Sequence, residues 1–177
     1  HTLQTEGATL RTVRLPTLGE FGAVNRVILQ SEAWSIHAPW LGERPQDYGQ
    51  LARRRLMAGA FMSAGDYVLA SRRRLEMIAE VEAALREVDV LLCASSMDPA
   101  CRIDNPADVE RTYPRQARTP FNVTGHPALA MMAGLSSGGL PVSVQFVGRY
   151  FDEATVFAVA HAWEQAAGTD QKHPALD

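Results

Sequence analysis

Two serines stand directly ahead of two glycines at Leu135-Ser-Ser-Gly-Gly-Leu140, the stretch where nucleophile chemistry first suggests itself. A serine nucleophile needs a base within hydrogen-bond reach and an oxyanion hole facing the reacting carbon. No lysine is available as that base: of 17 basic residues only Lys172 is a lysine, and it sits in the C-terminal tail. His37, His126 and His161 are separated by long gaps and lack the H-E-x-x-H spacing of a metal site. Residue arithmetic leaves a Ser-His-Asp triad open, yet no G-x-S-x-G elbow appears. Ser and Gly are also what a tight connection between strands requires, so the pair reads as a turn. Cys93 and Cys101 are too few for a disulfide framework and lack ligand spacing, and they read as idle thiols in a reducing cytosol. Neither a metal nor a cofactor is expected.

Arginine is the other chemistry-bearing residue. Arg53-Arg54-Arg55 and Arg72-Arg73-Arg74 invite a nucleic-acid reading, but consecutive residues on a helix point in three directions. Neither run is interleaved with aromatics for base stacking, and the formal charge is -3. Arg72 has Glu76 four residues on, the spacing of a solvated helix pair. In the first run, at about 100° per residue, Leu51, Ala58 and Met62 define an apolar stripe that Arg54 and Arg55 flank. A guanidinium at the edge of a core needs a carboxylate, because an unpaired buried charge is very costly. Glu32 is the expected partner of Arg55.

The elements that must position these groups follow from periodicity and caps. Thr2 to Glu6 reads as the end of a helix stopped by Gly7, an opening that suggests a chain continuing upstream. Ala8 to Leu15 reads as a strand. Thr17 and Glu20 form a capping box ahead of a helix with Phe21, Val24, Val27, Ile28, Ser31, Trp34, Ser35 and Ala38 on one side, which Pro39 to Pro45 should break. A second helix is expected from about Asp47 to Met62. A third, capped by Ser63 and Asp66, should run to about Val88 and bury Val68, Leu75, Ile78, Val81, Leu85 and Val88.

Asp89 to Cys93 has the length of a buried strand, and Ala94 to Arg118 reads as a long surface connection. Thr119 to Gly125 reads as a short polar turn, and Asn122 there matches a glycosylation sequon by accident of local sequence. Pro127 to Ala133 is continuously apolar, which predicts a strand covered on both faces. Pro141 to Val147 alternates, with Val142, Val144 and Phe146 on one face, and Gly134 to Gly139 suits a hairpin. Asp152 caps a last helix that buries Val156, Val159, Ala160, Trp163 and Ala167, with Phe151 stapled onto Val156. Residues 169–177 read as a loose tail.

Composition is that of an ordinary globular protein: 46% hydrophobic, 21% charged. No apolar run approaches the roughly 20 residues of a membrane span, and His1 to Leu15 has no signal-peptide pattern. Neither nucleic acid nor membrane is an expected partner.

Three stretches carry a resemblance. They are R-R-R-L-M-A-G-A-F-M-S-A-G-D-Y from Arg53, T-P-F-N-V-T-G-H-P-A-L from Thr119, and G-L-P-V-S-V-Q-F-V-G-R-Y-F-D-E-A-T from Gly139. Their order and wording resemble the carboxyl-terminal end of the amidase signature family of serine hydrolases. The resemblance is weak from Gly7 to Leu29, moderate from Gln30 to Ser95 and strong from Thr119 to Gln165. It implies an α/β fold, part of a mixed β-sheet sandwiched by helices, with residues 1–168 as the C-terminal portion of an amidase-like domain.

It also implies a chemistry. Family catalysis uses a lysine and two serines from a Gly/Ser-rich segment nearer the amino terminus, and none of that is present, so this chain alone is expected to be inactive. In the parent enzyme a lysine-activated serine would attack a small-molecule amide, giving acid plus ammonia or amine. This portion would build pocket wall and sheet. The family's pattern points to Arg55, four residues before Gly59, and to Phe121 and Asn122 as substrate-binding residues. Some relatives carry an aspartate three residues before the threonine that corresponds to Thr119; Gln116 stands there, a departure from specificity for amino-acid amides. Pairing with a missing N-terminal portion, or self-association, is expected. Two alternatives are a freestanding non-catalytic binding module and a part of a tRNA-dependent amidotransferase subunit.

Overall fold

The computed structural model describes residues 2–169. Its elements are α1 (Thr2–Thr5), α2 (Leu18–Glu43), α3 (Gln50–Met57), α4 (Ala64–Leu85), β1 (Leu91–Ala94), α5 (Pro106–Thr112), α6 (Thr119–Thr124), β2 (Ala128–Leu135), β3 (Pro141–Val147) and α7 (Glu153–Ala167). The three strands form one antiparallel sheet in the order β1-β3-β2. Val147 lies between Leu91 and Ala128, and Phe146 between Leu92 and Leu129. Alternation then sends the two residues to opposite faces. Val147 joins Leu91, Phe21, Met77, Val81, Leu85 and Phe121 under α2, α4 and α6. Phe146 joins Val156, Ala160 and Leu3, with Trp163 beside them, under α7 and α1. Helices therefore cover the sheet on both sides, the α/β sandwich expected.

Both capping boxes form: Thr17 Oγ1 accepts from Glu20 N while Glu20 bonds back to Thr17 N, and Ser63 and Asp66 do the same. Asp152 caps α7 through Thr155 N. Arg149 closes the other end of α4, donating to the carbonyls of Leu85 and Val88 at 3.0 and 2.9 Å.

Several expectations are corrected. Helix α2 does not stop at Pro39 but continues to Glu43, because Leu41 is buried and the Arg44 N–H closes on Trp40 O at 2.7 Å. Burial of that last turn outweighs one lost ladder bond. The second helix is shorter than expected: α3 ends at Met57 and tightens into a 3₁₀ turn at Ala58–Phe61. There Gly59 presses on α2, where a Cβ would sit 2.2 Å from Gln30 O. Ala8 to Leu15 joins no ladder. The buried face of α4 is Ala70, Met77, Val81, Ala84 and Leu85; Val68 and Leu75 are exposed, since α2 packs to one side of the stripe expected. Arg73, not Arg72, pairs with Glu76, and it also reaches Glu80 and Glu20. Residues 94–118 are not a bare connection but contain α5 and a 3₁₀ turn at Tyr113–Arg115.

On the sheet, β2 is an edge strand and is not covered on both faces: Ala128 and Ala130 are exposed where the α2/α4 layer ends. A bulge near Ala133 precedes Gly134, whose φ of +150° favours glycine. Phe151 is 95% exposed and forms no staple with Val156; its φ of 60° turns the side chain outward. Of the expected tail, Thr169 is buried and residues 170–177 lie outside those described.

Candidate functional site

The segment read as a polar turn is the helix α6. Six residues are too few for a period to show, but Pro120 starts it and Gly125, left-handed at φ 77°, ends it with its N–H on Phe121 O at 2.7 Å. Pro120, Phe121, Val123 and Thr124 are buried. Arg74 holds the helix from the side, donating its Nε–H to Val123 O at 2.7 Å. This is the second arginine run's inward-facing member, not a solvated one.

Below α6 lies a buried polar cluster. His126 Nε2 is 2.9 Å from Glu82 Oε1 and Nδ1 is 2.9 Å from Thr124 Oγ1. The imidazole stacks on Tyr150 at 4.3 Å between centroids, and the Tyr150 hydroxyl donates to Thr124 O. Burial, reinforced by the Glu82 charge, pushes the Tyr150 phenol above its ordinary pKa. Gln145 is also buried and donates its amide to Ala94 O at 3.2 Å and Ala117 O at 2.8 Å. That tie fixes the strand end of β1 to the residues leading into α6.

Two clefts open on either side of α6. The larger, about 410 Å³, lies against α2 and is lined in part by Ile28, Glu32, Tyr113, Gln116, Arg118 and Asn122. The smaller, about 260 Å³, lies over β2 and includes Ser95, Arg118, Phe121, Asn122, His126 and Gln145. Its floor is Ala128 and Ala130, whose small side chains leave the sheet uncovered. Arg118 and Asn122 belong to both. The lining offers donors and acceptors for holding a ligand. It offers no activated nucleophile: Ser95 shares the smaller cleft with His126, but both ring nitrogens of His126 are already engaged.

Of the residues marked by the sequence, Asn122 is exposed and lines both clefts, and Phe121 is buried and lines the smaller. Arg55 lies one residue behind the wall, its guanidinium 3.8 Å over the ring of Tyr113, which lines the larger cleft. The expected Arg55–Glu32 pair does not form. Glu32 instead accepts from the Tyr67 hydroxyl at 3.0 Å, because α4 reaches it before α3 can. Ser136 is a turn residue, its Oγ accepting from Leu140 N at 3.1 Å. Cys93 and Cys101 are free, and burial pushes the Cys93 thiol up, away from thiolate chemistry. Among the described residues no group of His, Cys, Asp and Glu is placed to hold a metal, and no helix is long and apolar enough to cross a membrane.

Arg118, Glu82 and Tyr113 escaped the sequence reading. They lie on three separate elements and share no spacing, so no sequence signal joins them; His126 offered only its place before Pro127.

Known proteins agree along most of this chain. The Amidase family model matches residues 1–157. A Mycobacterium tuberculosis protein named "Putative amidase AmiD" is 32% identical over 143 residues, 78% of this chain and 30% of that protein. A glutamyl-tRNA(Gln) amidotransferase subunit of Brevibacillus brevis is 33% identical over 164 residues, 89% of this chain and 34% of that protein. A crystal structure of an amidase superposes with a TM-score of 0.84 at 29% identity, covering 94% of this chain and 39% of that one. The chain spans about a third of the length of the curated relatives it matches. Agreement of sequence and three-layer fold over the same residues has one source: the chain belongs to the amidase signature family.

Proposed function

We propose that this chain is the C-terminal portion of a cytoplasmic amidase that cleaves a small carboxylic amide to acid plus ammonia or amine. Residues 1–168 contribute pocket wall and sheet, and the lysine and two serines of the family's machinery come from elsewhere. The observation that carries this reading is the wall around α6, which presents hydrogen-bonding groups to two clefts without a nucleophile that has a free base. Phe121 and Asn122 form the wall of the acyl pocket. Arg55 serves substrate binding through Tyr113, whose ring it holds in the cleft. The edge strand β2, with Ala128 and Ala130 bare, is where a further portion of the enzyme or a second copy would lie.

A second reading has its own support: several relatives at 28–35% identity bear the name of a glutamyl-tRNA(Gln) amidotransferase subunit. Gln116 weighs against it, since an amide there cannot hold a free amino group as an aspartate can.

The test is an assay of the isolated 177-residue chain against aliphatic and aromatic amides and a serine-directed phosphonate. No turnover and no labelling are expected. Turnover abolished by Ser136→Ala or Ser137→Ala would overturn the reading and make the hairpin turn the active site.

A further inference from the structure

We infer that Ser95 selects the acyl group of the substrate: the smaller cleft takes a short amide whose acyl part carries a neutral hydroxyl, in preference to plain hydrocarbon. This rests on the reading of the α6 clefts as the wall of an amide pocket. The starting point is the face of the sheet under α2 and α4, where two strands change character at the same level. Leu91 pairs with Val147 and Cys93 with Gln145. Ser95 then donates its N–H to Ser143 O at 3.1 Å, which carries the pairing one residue past β1. Alternation keeps these residues on one face, apolar at Leu91 and Val147 and polar at Ser95 and Gln145. Polar residues at the end of a covered face are ordinary where water reaches them. Here it scarcely does, since Ser95 is 5% exposed and Gln145 2%.

The burial of Gln145 is explained by its bonds to Ala94 O and Ala117 O. That of Ser95 is not, because its hydroxyl has no hydrogen-bond partner among the described residues. Nor is its oxygen sealed away, as the orphan oxygens of Gln30, Ser31 and Gln116 are. The surface that Ser95 keeps opens on the smaller cleft, which it lines.

Water can satisfy that hydroxyl only until a ligand fills the cleft and takes the water's place. Hydrocarbon set against it would leave a buried hydroxyl unpaired, whereas a ligand hydroxyl restores the bond. Arg118 lines the same cleft and no carboxylate does, so an ammonium group is disfavoured there. A volume of about 260 Å³ over the small side chains of Ala128 and Ala130 suits a short acyl group.

The experiment is a titration of the 177-residue chain followed by ¹H–¹⁵N NMR. The ligands are lactamide and isobutyramide, which differ by a hydroxyl in place of a methyl group. Lactamide is expected to bind about fivefold more tightly, the worth of one neutral hydrogen bond, and to shift the Ser95 and Gln145 side-chain amide signals. Ser95→Ala should abolish the preference by weakening lactamide alone. The variant keeps the backbone bond to Ser143, and an unmoved Gln145 side-chain signal would show that the junction is intact. The comparison of the two amides on the parent chain needs no variant. If isobutyramide binds as well as lactamide, or Ser95→Ala keeps the preference or weakens both equally, Ser95 does not select the acyl group and the pocket-wall reading stands. If neither amide binds the parent chain, both readings fail.

Discussion

The helical layer and the junction of α6 with the sheet are held by opposite means. Between α2 and α4 the buried residues are apolar, Phe21, Val24, Met77 and Val81, and the charges stay outside, where Arg73 gathers Glu20, Glu76 and Glu80. Around α6 the interior itself is polar: Thr124, His126 and Gln145 are buried and joined by hydrogen bonds to Glu82, Ala94 and Ala117. Apolar packing is tolerant of exchange so long as volume is kept, whereas a buried polar group accepts only the geometry that satisfies it. The helical layer thus supplies stability, and the junction sets where the cleft wall stands.

The contrast can be broken most forcefully at Gly59. A methyl group there would lie 2.2 Å from Gln30 O and 2.5 Å from Trp34 Cβ, so shape is unforgiving even in the tolerant layer. Gly59→Ala is expected to lose about 3 kcal/mol in urea unfolding, through overpacking against backbone that cannot move aside. A loss below about 1 kcal/mol would mean that the 3₁₀ turn yields and the layer is looser than described.

A smaller effect sharpens the other side. Gln145→Leu keeps the volume but leaves Ala94 O and Ala117 O without their donor, at a cost of about 2 kcal/mol. Hydrogen exchange should rise in residues 116–124 and stay unchanged in α4. Equal rises in both would mean that the junction is not a separate unit.

The smallest effect is electrostatic and sits between the two regions. Hydrogen bonds from Arg115, then Arg111, hold the Asp98 carboxyl below the usual carboxylate range. A depressed carboxylate contributes stability above its unfolded pKa and loses it as pH falls through the folded one. Residues 96–116 should therefore stay ordered from neutral pH down to the ordinary aspartate value and loosen below it. Limited proteolysis across that range checks this, and Asp98→Asn should be equally loose at every pH.

Much of the frame was legible from the chain alone. Thr17–Glu20 and Ser63–Asp66 announced their helices because a capping box is local chemistry within four residues. The β2–β3 hairpin and α7 were legible for the same reason: strand alternation, turn residues and an Asp cap act between near neighbours. The wording of Arg53–Tyr67 and Thr119–Thr155 was enough to point to the family. Where sequence reading failed, distant contacts had decided. Pro39 stays helical because Leu41 finds a core, and α6 forms because Arg74 and the sheet hold six residues too few to be helical alone.

The site divides along the same line. Residue types and order named Phe121 and Asn122, since a family pattern is written in consecutive residues. Only the tertiary structure turned Arg55 onto Tyr113 and away from Glu32, and brought Glu82 to His126 across 44 residues. A charge chooses its partner by distance and desolvation in three dimensions, and neither is encoded in the spacing of residues along the chain.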